Sequence, residues 1–414
     1  MTAPQTTRGT TSTGGAGPRR TAALAAPLLL VGVLLLSLNL RPAAVSVGPV
    51  LDEVRDAFGM SGATAGLLTS LPVLAFAVFG AFAPTAARAV GLHRVTLLAL
   101  LAVGGGLLGR AVTGSETVFL GLSLLAVAGM AMANVLLPSL VKLHFPDRIG
   151  AMTAAYTTAL AVGLTASLAL TVPVAEAFGG WRTGLGLWAV LALVAALPWL
   201  GLVAHDRRPA GEPGTRAVRY AEVARTPLGL AMALFFGLQS LQAYAVFGWF
   251  AQLWRDSGWS PTAAGLLVAL VAAVSIPLSL WLPRLLAARE NPLTVLLAVI
   301  ACYPVGYLGL LVAPYSLAPL WAVLVGTGCC TFPLILTLVG LRARTPGGTA
   351  ALSAFTQSAG YLLAAAGPFA IGVVHDASGG WDLPVVVLLV LSLPLALVAT
   401  YVAKPRAIED QLHR

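Results

Sequence analysis

Asn39-Leu40-Arg41-Pro42 places a guanidinium inside an apolar stretch running from Thr21 to Leu51, where it is the only charge. An arginine at the centre of a membrane-spanning helix costs about 2.5 to 3.5 kcal/mol on insertion scales, so it normally faces a cavity or a partner. The nearest acids along the chain are Asp52 and Glu53, about 16 Å away in straight helix. Every other Asp and Glu falls in a connecting loop or a tail, so no span supplies a carboxylate. A planar fork of donors in a dry site suits a small planar anion, which it can hold through two parallel hydrogen bonds. Pro42 leaves a second use open. It cannot donate to the Leu38 carbonyl and disfavours helical geometry at Arg41, so Arg41 could instead cap freed carbonyls or snorkel outward.

Polar side chains at matching depths extend this picture. Asn39 and Gln239 lie at equivalent positions of a repeat described below, and Gln242 and Tyr244 continue the same region. Arg41 itself matches Leu241, so the positive charge belongs to one half only. Asn134, Tyr156, Gln357 and Tyr361 are further polar residues in apolar stretches. Each is a candidate solute contact, and each is equally an interhelical hydrogen bond of about 0.6 kcal/mol on average. No carboxylate or histidine stands at membrane depth as a proton relay. Coupling through Asp52, Glu53 or Asp56, through a proton carried on the solute, or through anion exchange all remain open. No cofactor or metal is expected: Cys302, Cys329 and Cys330 all lie in apolar stretches without zinc spacing. Clustered nucleophiles and bases of the kind an enzyme needs are likewise missing from the apolar stretches.

The elements that must position these residues are helices in a bilayer. The 414 residues are 58% apolar and 9% charged, with a mean hydropathy of +0.90; soluble domains carry roughly a quarter charged residues. A helical span needs about 20 apolar residues. Proline, glycine and charge clusters separate twelve such stretches, near 22–50, 62–86, 92–112, 117–141, 150–175, 183–203, 227–253, 262–286, 292–313, 316–340, 349–374 and 382–402. Arg19 and Arg20 before the first one resemble a signal peptide, but its length and the eleven that follow make it a retained span. The +9 charge reads as topology, with no role for nucleic acid. Placing the N-terminus in the cytoplasm leaves only Arg55, Arg110, Arg182 and Arg255 outside, with Arg41 within the membrane. That asymmetry puts both termini inside the cytoplasmic membrane.

The two halves repeat at an offset near 200 residues. Arg55-Asp56 returns as Arg255-Asp256, Gly179-Gly180-Trp181 as Gly379-Gly380-Trp381, and Pro138 has a counterpart in Pro333. Six spans separate equivalent positions, so both halves enter the membrane the same way, as in carriers built from two parallel bundles. The expected organisation is a disordered tail over 1–20, a six-helix bundle over 21–203, a cytoplasmic linker over 204–226, a second bundle over 227–403 and a tail over 404–414. The two prolines are expected as kinks that permit rocking.

With these residues in view, the chain resembles the major facilitator superfamily, and within it the cyanate and nitroimidazole transporter branch. The resemblance rests on Asn39-Leu40-Arg41-Pro42, on Asn134-Val135-Leu136-Leu137-Pro138 with Lys142 and Phe145-Pro146, and on Tyr156. In the second half it rests on Gly237 to Tyr244, on Gln357-Ser358-Ala359-Gly360-Tyr361 and on Gly367-Pro368. It implies an all-α membrane fold of twelve helices in two bundles. The function it implies is alternating-access transport of a small anion or weakly acidic, cyanate-like solute, or efflux of a neutral compound such as a nitroimidazole, by a monomer in the lipid bilayer. The superfamily's loop between spans two and three fits at Gly91 and Arg94, whereas Arg88 stands where the acid usually does. These three are gating candidates, with plain inside-positive charge as the alternative for the arginines.

Overall fold

A computed structural model describes residues 18–145, 148–203, 220–289 and 291–412. Most of the expected tail over 1–20, the linker up to residue 219 and the last two residues lie outside them. Among the described residues there is no strand. Inside a bilayer each backbone N–H and C=O must be satisfied within the protein, and a helix does this locally.

Among the described residues, twelve helical spans are long and apolar enough to cross a membrane: Leu28–Phe58, Gly62–Ala87, Leu92–Val112, Glu116–Val141, Ala155–Ala177, Trp181–Leu202, Pro227–Asp256, Pro261–Ala287, Leu293–Val312, Ala318–Leu341, Ala351–Ser378 and Asp382–Val402. They are numbered 1 to 12 below. The count agrees with the hydropathy reading, and this is a multi-pass membrane protein. Span 1 runs further than expected, because a short amphipathic helix, Leu51–Phe58, continues it past Asp52 and Glu53.

Three spans are broken, each next to a proline that cannot donate to the carbonyl four residues back. Span 1 stops at Asn39, resumes as Pro42–Val45, and turns again through a 3-10 segment at Gly48–Val50. Span 10 breaks at Cys330, ahead of Pro333. Span 11 breaks at Ala365, ahead of Pro368. Pro138, the counterpart of Pro333, sits inside the uninterrupted helix Glu116–His144, so the two repeat-related prolines are not used alike.

Spans 1–6 and 7–12 form two bundles, which meet where span 2 packs on span 11 and span 5 on span 8. The seam is tight because glycines stand at it. A Cβ on Gly66 would come 2.8 Å from the Phe369 Cα, and one on Gly48 would come 2.3 Å from the Phe247 carbonyl oxygen.

Candidate substrate site

A cavity of about 330 Å³ lies between the bundles. Its walls come from the middle of spans 1, 7 and 11 and from stretches of spans 5, 8 and 10 between their middles and their terminus-bearing ends. Arg41 enters it from the break in span 1. Arg41 is half-buried and, among the described residues, forms no ion pair with a carboxylate. The buried Tyr244 hydroxyl lies within electrostatic reach of it but makes no well-aligned hydrogen bond. Tyr361 completes this end, stacked on Phe76 at 4.9 Å and edge-on to Tyr244 at 6.5 Å.

Gln239 faces the cavity from span 7 for a specific reason. Pro333 cannot donate to the Cys329 carbonyl, and the Gln239 Nε2 takes that carbonyl at 2.7 Å. Its Oε1 is left without a protein partner, as is the neighbouring Ser240 hydroxyl. The cavity is therefore lined by a cationic fork and by Tyr244, Gln239 and Ser240, whose phenol hydroxyl, amide oxygen and hydroxyl are enclosed in its walls without a partner among the described residues. The apolar walls around them include Phe247 and Phe332.

Of the nine sequence candidates, Arg41, Gln239, Tyr244 and Tyr361 line this cavity. The other five do not. Asn39 is buried and donates to the carbonyls of Leu35 and Leu191, at 2.9 and 3.2 Å, tying span 1 to span 6. Gln242 is fully buried and accepts from the Tyr307 hydroxyl at 2.8 Å. Gln357 donates to Ser353 on its own helix at 2.9 Å. Asn134 and Tyr156 are half-buried and absent from the cavity lining; Tyr156, one turn before Leu160 on the cavity-lining helix, packs against the core. Sequence reasoning missed the whole contribution of span 8, with Ser275 and Ser279, and that of Thr157, Thr158, Ser240 and Cys329. The one available signal was the spacing of Ser275 and Ser279, which places both on one helix face.

A further correction concerns charge. Arg110, counted by sequence among the outside charges, lies within span 3 and is 1% exposed. Arg41, half-buried, is therefore not the only arginine drawn into the helices. In the loop between spans 2 and 3, Gly91 adopts φ 110° and ends the second span, a conformation that favours glycine. Arg94 is exposed, and the side chain of Arg88 lies outside the described residues.

At the face opposite the termini the bundles are tied together. Arg255 of span 7 meets Asp52 at 3.5 Å and Glu53 at 2.8 Å, and Arg55 of span 1 meets Asp376 of span 11 at 3.3 Å. Asp376 also accepts from the backbone N–H of Gly62 at the start of span 2, and Glu176 accepts from Thr262 at the start of span 8 at 2.8 Å. These two contacts are 200-residue equivalents. Among the described residues, every ion pair joining the halves lies on this face.

The family model for the Major Facilitator Superfamily matches residues 28–368. The uncharacterized transporter YycB of Bacillus subtilis is 35% identical over 87% of this chain and 90% of its own length. The 2-nitroimidazole transporter of Escherichia coli is 34% identical over 89% of this chain and 94% of its own. The cyanate transport protein CynX of Escherichia coli is 28% identical over 85% and 91%. A bacterial homologue of the human lysosomal transporter Spinster, solved inward-facing and unoccupied, superposes with a TM-score of 0.75 at 16% identity over 94% of this chain and 98% of that one.

Proposed function

The chain belongs to the major facilitator superfamily, and from that premise we propose that it is a secondary carrier for a small anion or weakly acidic polar solute, bound at Arg41. It is a transporter and not an enzyme, with a small molecule as its substrate. The observation that carries the anionic reading is Arg41 itself, a guanidinium at the edge of an apolar cavity with a phenol hydroxyl beside it and, among the described residues, no carboxylate paired to it. Tyr244 and Gln239 orient the solute from span 7, and Tyr361 walls it from span 11. The two relatives named for cyanate and 2-nitroimidazole support a planar, polar cargo.

The positive-inside charge pattern places the termini in the cytoplasm. On that orientation the cavity opens inward, and the ion pairs of Arg255 and Arg55 close the outer mouth. Transport then exchanges this arrangement for one in which spans 2 and 11, and 5 and 8, part at the outer face and close below the solute. No carboxylate of the described residues pairs with Arg41, so coupling falls on the mouth acids, on a proton carried with the solute, or on anion exchange.

Counterflow in proteoliposomes tests the anchor. Arg41→Ala is expected to lower anion counterflow by tenfold or more, and Arg41→Lys to retain part of it as a point charge without the fork. Wild-type counterflow in Arg41→Ala refutes the anchor. Cavity size supports a second reading, transport of a neutral heterocycle, because about 330 Å³ suits a ring compound better than a three-atom anion. Counterflow of 2-nitroimidazole that survives Arg41→Ala would favour it.

A further inference from the structure

Arg110 is a buried charge that the transport reading leaves unused. Its Nη2 donates to the Ser46 hydroxyl at 3.0 Å, and its Nε has no partner. No carboxylate pairs with it among the described residues. Two acids of its own half, Asp52 and Glu53, are engaged by Arg255. The other buried arginine, Arg342, differs: it donates to the carbonyls of Val402 and Ala403 at 2.9 and 2.7 Å and so closes the end of span 12. Arg110 has one neutral hydroxyl where Arg342 has two terminal carbonyls.

Its position gives this charge a use. Ser46 follows Arg41 by five residues, roughly 8 Å along a helix, and ends the short helix Pro42–Val45 that Arg41 begins. Span 5 presses on the head of this bent segment, where a Cβ on Gly163 would come 2.1 Å from the Leu38 carbonyl oxygen, and span 7 presses on its tail at Gly48. Arg110 supplies the polar contact from span 3. An arginine keeps its charge when buried. At an effective dielectric of about 20, a unit charge about 10 Å away changes the local concentration of a monovalent ion on the order of tenfold.

We propose that Arg110 is a specificity-determining residue. Held on Ser46 behind the bent segment of span 1, it adds a second positive charge to the field in the cavity and steadies the segment that carries Arg41, without touching the solute. This rests on the reading of Arg41 as an anion anchor.

The field can be read without knowing the solute. Thr158 is exposed and lines the cavity, so Thr158→Cys in a background of Cys302→Ser, Cys329→Ser and Cys330→Ala gives a single reporter thiol. The quantity measured is the ratio of its reaction rates with an anionic and a cationic methanethiosulfonate of similar size. The expected result is a ratio well above one, lowered about tenfold or more by Arg110→Gln and kept by Arg110→Lys. An unchanged ratio in Arg110→Gln overturns the proposal while leaving the Arg41 reading intact. A ratio at or below one with both arginines present overturns the Arg41 reading and this proposal with it. If Arg110→Gln does not fold, Arg110→Met, uncharged and of similar reach, decides in its place, and an unchanged ratio in it overturns the proposal.

Discussion

Gln239 and Asn39 stand at the same depth on repeat-related helices, yet they act differently. Gln239 satisfies the carbonyl that Pro333 frees and leaves its remaining oxygen unpartnered in the cavity wall, whereas Asn39 donates to two carbonyls away from it. Gln239→Leu leaves the Cys329 carbonyl unsatisfied, which should lower stability by about 1 to 3 kcal/mol, and it should also weaken solute binding. Asn39→Leu should cost about 0.6 kcal/mol per lost bond and leave binding unchanged. Melting in detergent and half-saturation of counterflow read the two effects separately. Equal loss of affinity in both variants would undo the distinction. Arg41 was legible in the sequence because a charge in an apolar run is conspicuous in one dimension. Which of Asn134, Tyr156, Gln242 and Gln357 reached the cavity was not, because lipid and protein neighbours are equally apolar and no polar face marks the inward side. Ser275 was missed for a related reason, since its hydroxyl bonds the Ala272 carbonyl of its own helix at 2.6 Å and needs no partner to be tolerated in a span. Arg110 was misplaced because it stands two residues from the end of span 3, where sequence alone does not separate a buried arginine from one at the surface.

At the scale of elements, spans 1, 10 and 11 are broken where the cavity forms, and the breaks are held by neighbours. Gly163 allows span 5 to approach the Leu38 carbonyl that Pro42 leaves free. Gly163→Ala sets a methyl against backbone, which cannot move aside as a side chain can, and overpacking of this kind costs about 1 to 3 kcal/mol. Gly105→Ala, with nothing within 4 Å of its Cβ, is the control and should melt like wild type. The first turn of the helix Pro346–Ala364, which leads into span 11, is held from outside the membrane. Glu409 in the tail accepts from the backbone N–H groups of Arg344 and Thr345, at 3.0 and 2.9 Å, and from the Thr345 hydroxyl. Burial works to raise its pKa, but these hydrogen bonds outweigh it and hold the carboxylate below its ordinary value of 4.5. A depressed pKa means the attachment is fully present above about 4.5 and is lost as pH falls through the lower, folded value. Relative to the intrinsic rate, which itself falls as pH falls, amide exchange at Arg344 and Thr345 should therefore rise only on acidification. In Glu409→Gln it should already be faster at neutral pH; identical protection in the two proteins would show that the tail does not hold the helix.

For the whole molecule, the twelve spans and their repeat were readable because hydropathy and a 200-residue offset are one-dimensional signals. The use of the repeat was not, since its motifs act across the seam. Arg55-Asp56 and Arg255-Asp256 look alike in sequence, yet Arg255 reaches Asp52 and Glu53 while Arg55 reaches Asp376. Glu176 and Asp376, equivalent residues that end spans 5 and 11, each hold the start of the opposite half's second or eighth span. Solvent-facing pairs contribute only about 0 to 1 kcal/mol each, so no single one locks the mouth, and removing several should shift the balance between two conformations without unfolding either bundle. Arg255→Ala with Asp376→Asn is therefore expected to raise the population open at that face several-fold. The measurement is the distance distribution between spin labels on the exposed residues Asp56 and Gly379, one in each half. A wild-type distribution in the double variant would mean that the glycine seam at Gly48 and Gly66 closes the mouth without the charges. In that case Gly66→Val, whose side chain would meet the Phe369 backbone, should open the mouth instead.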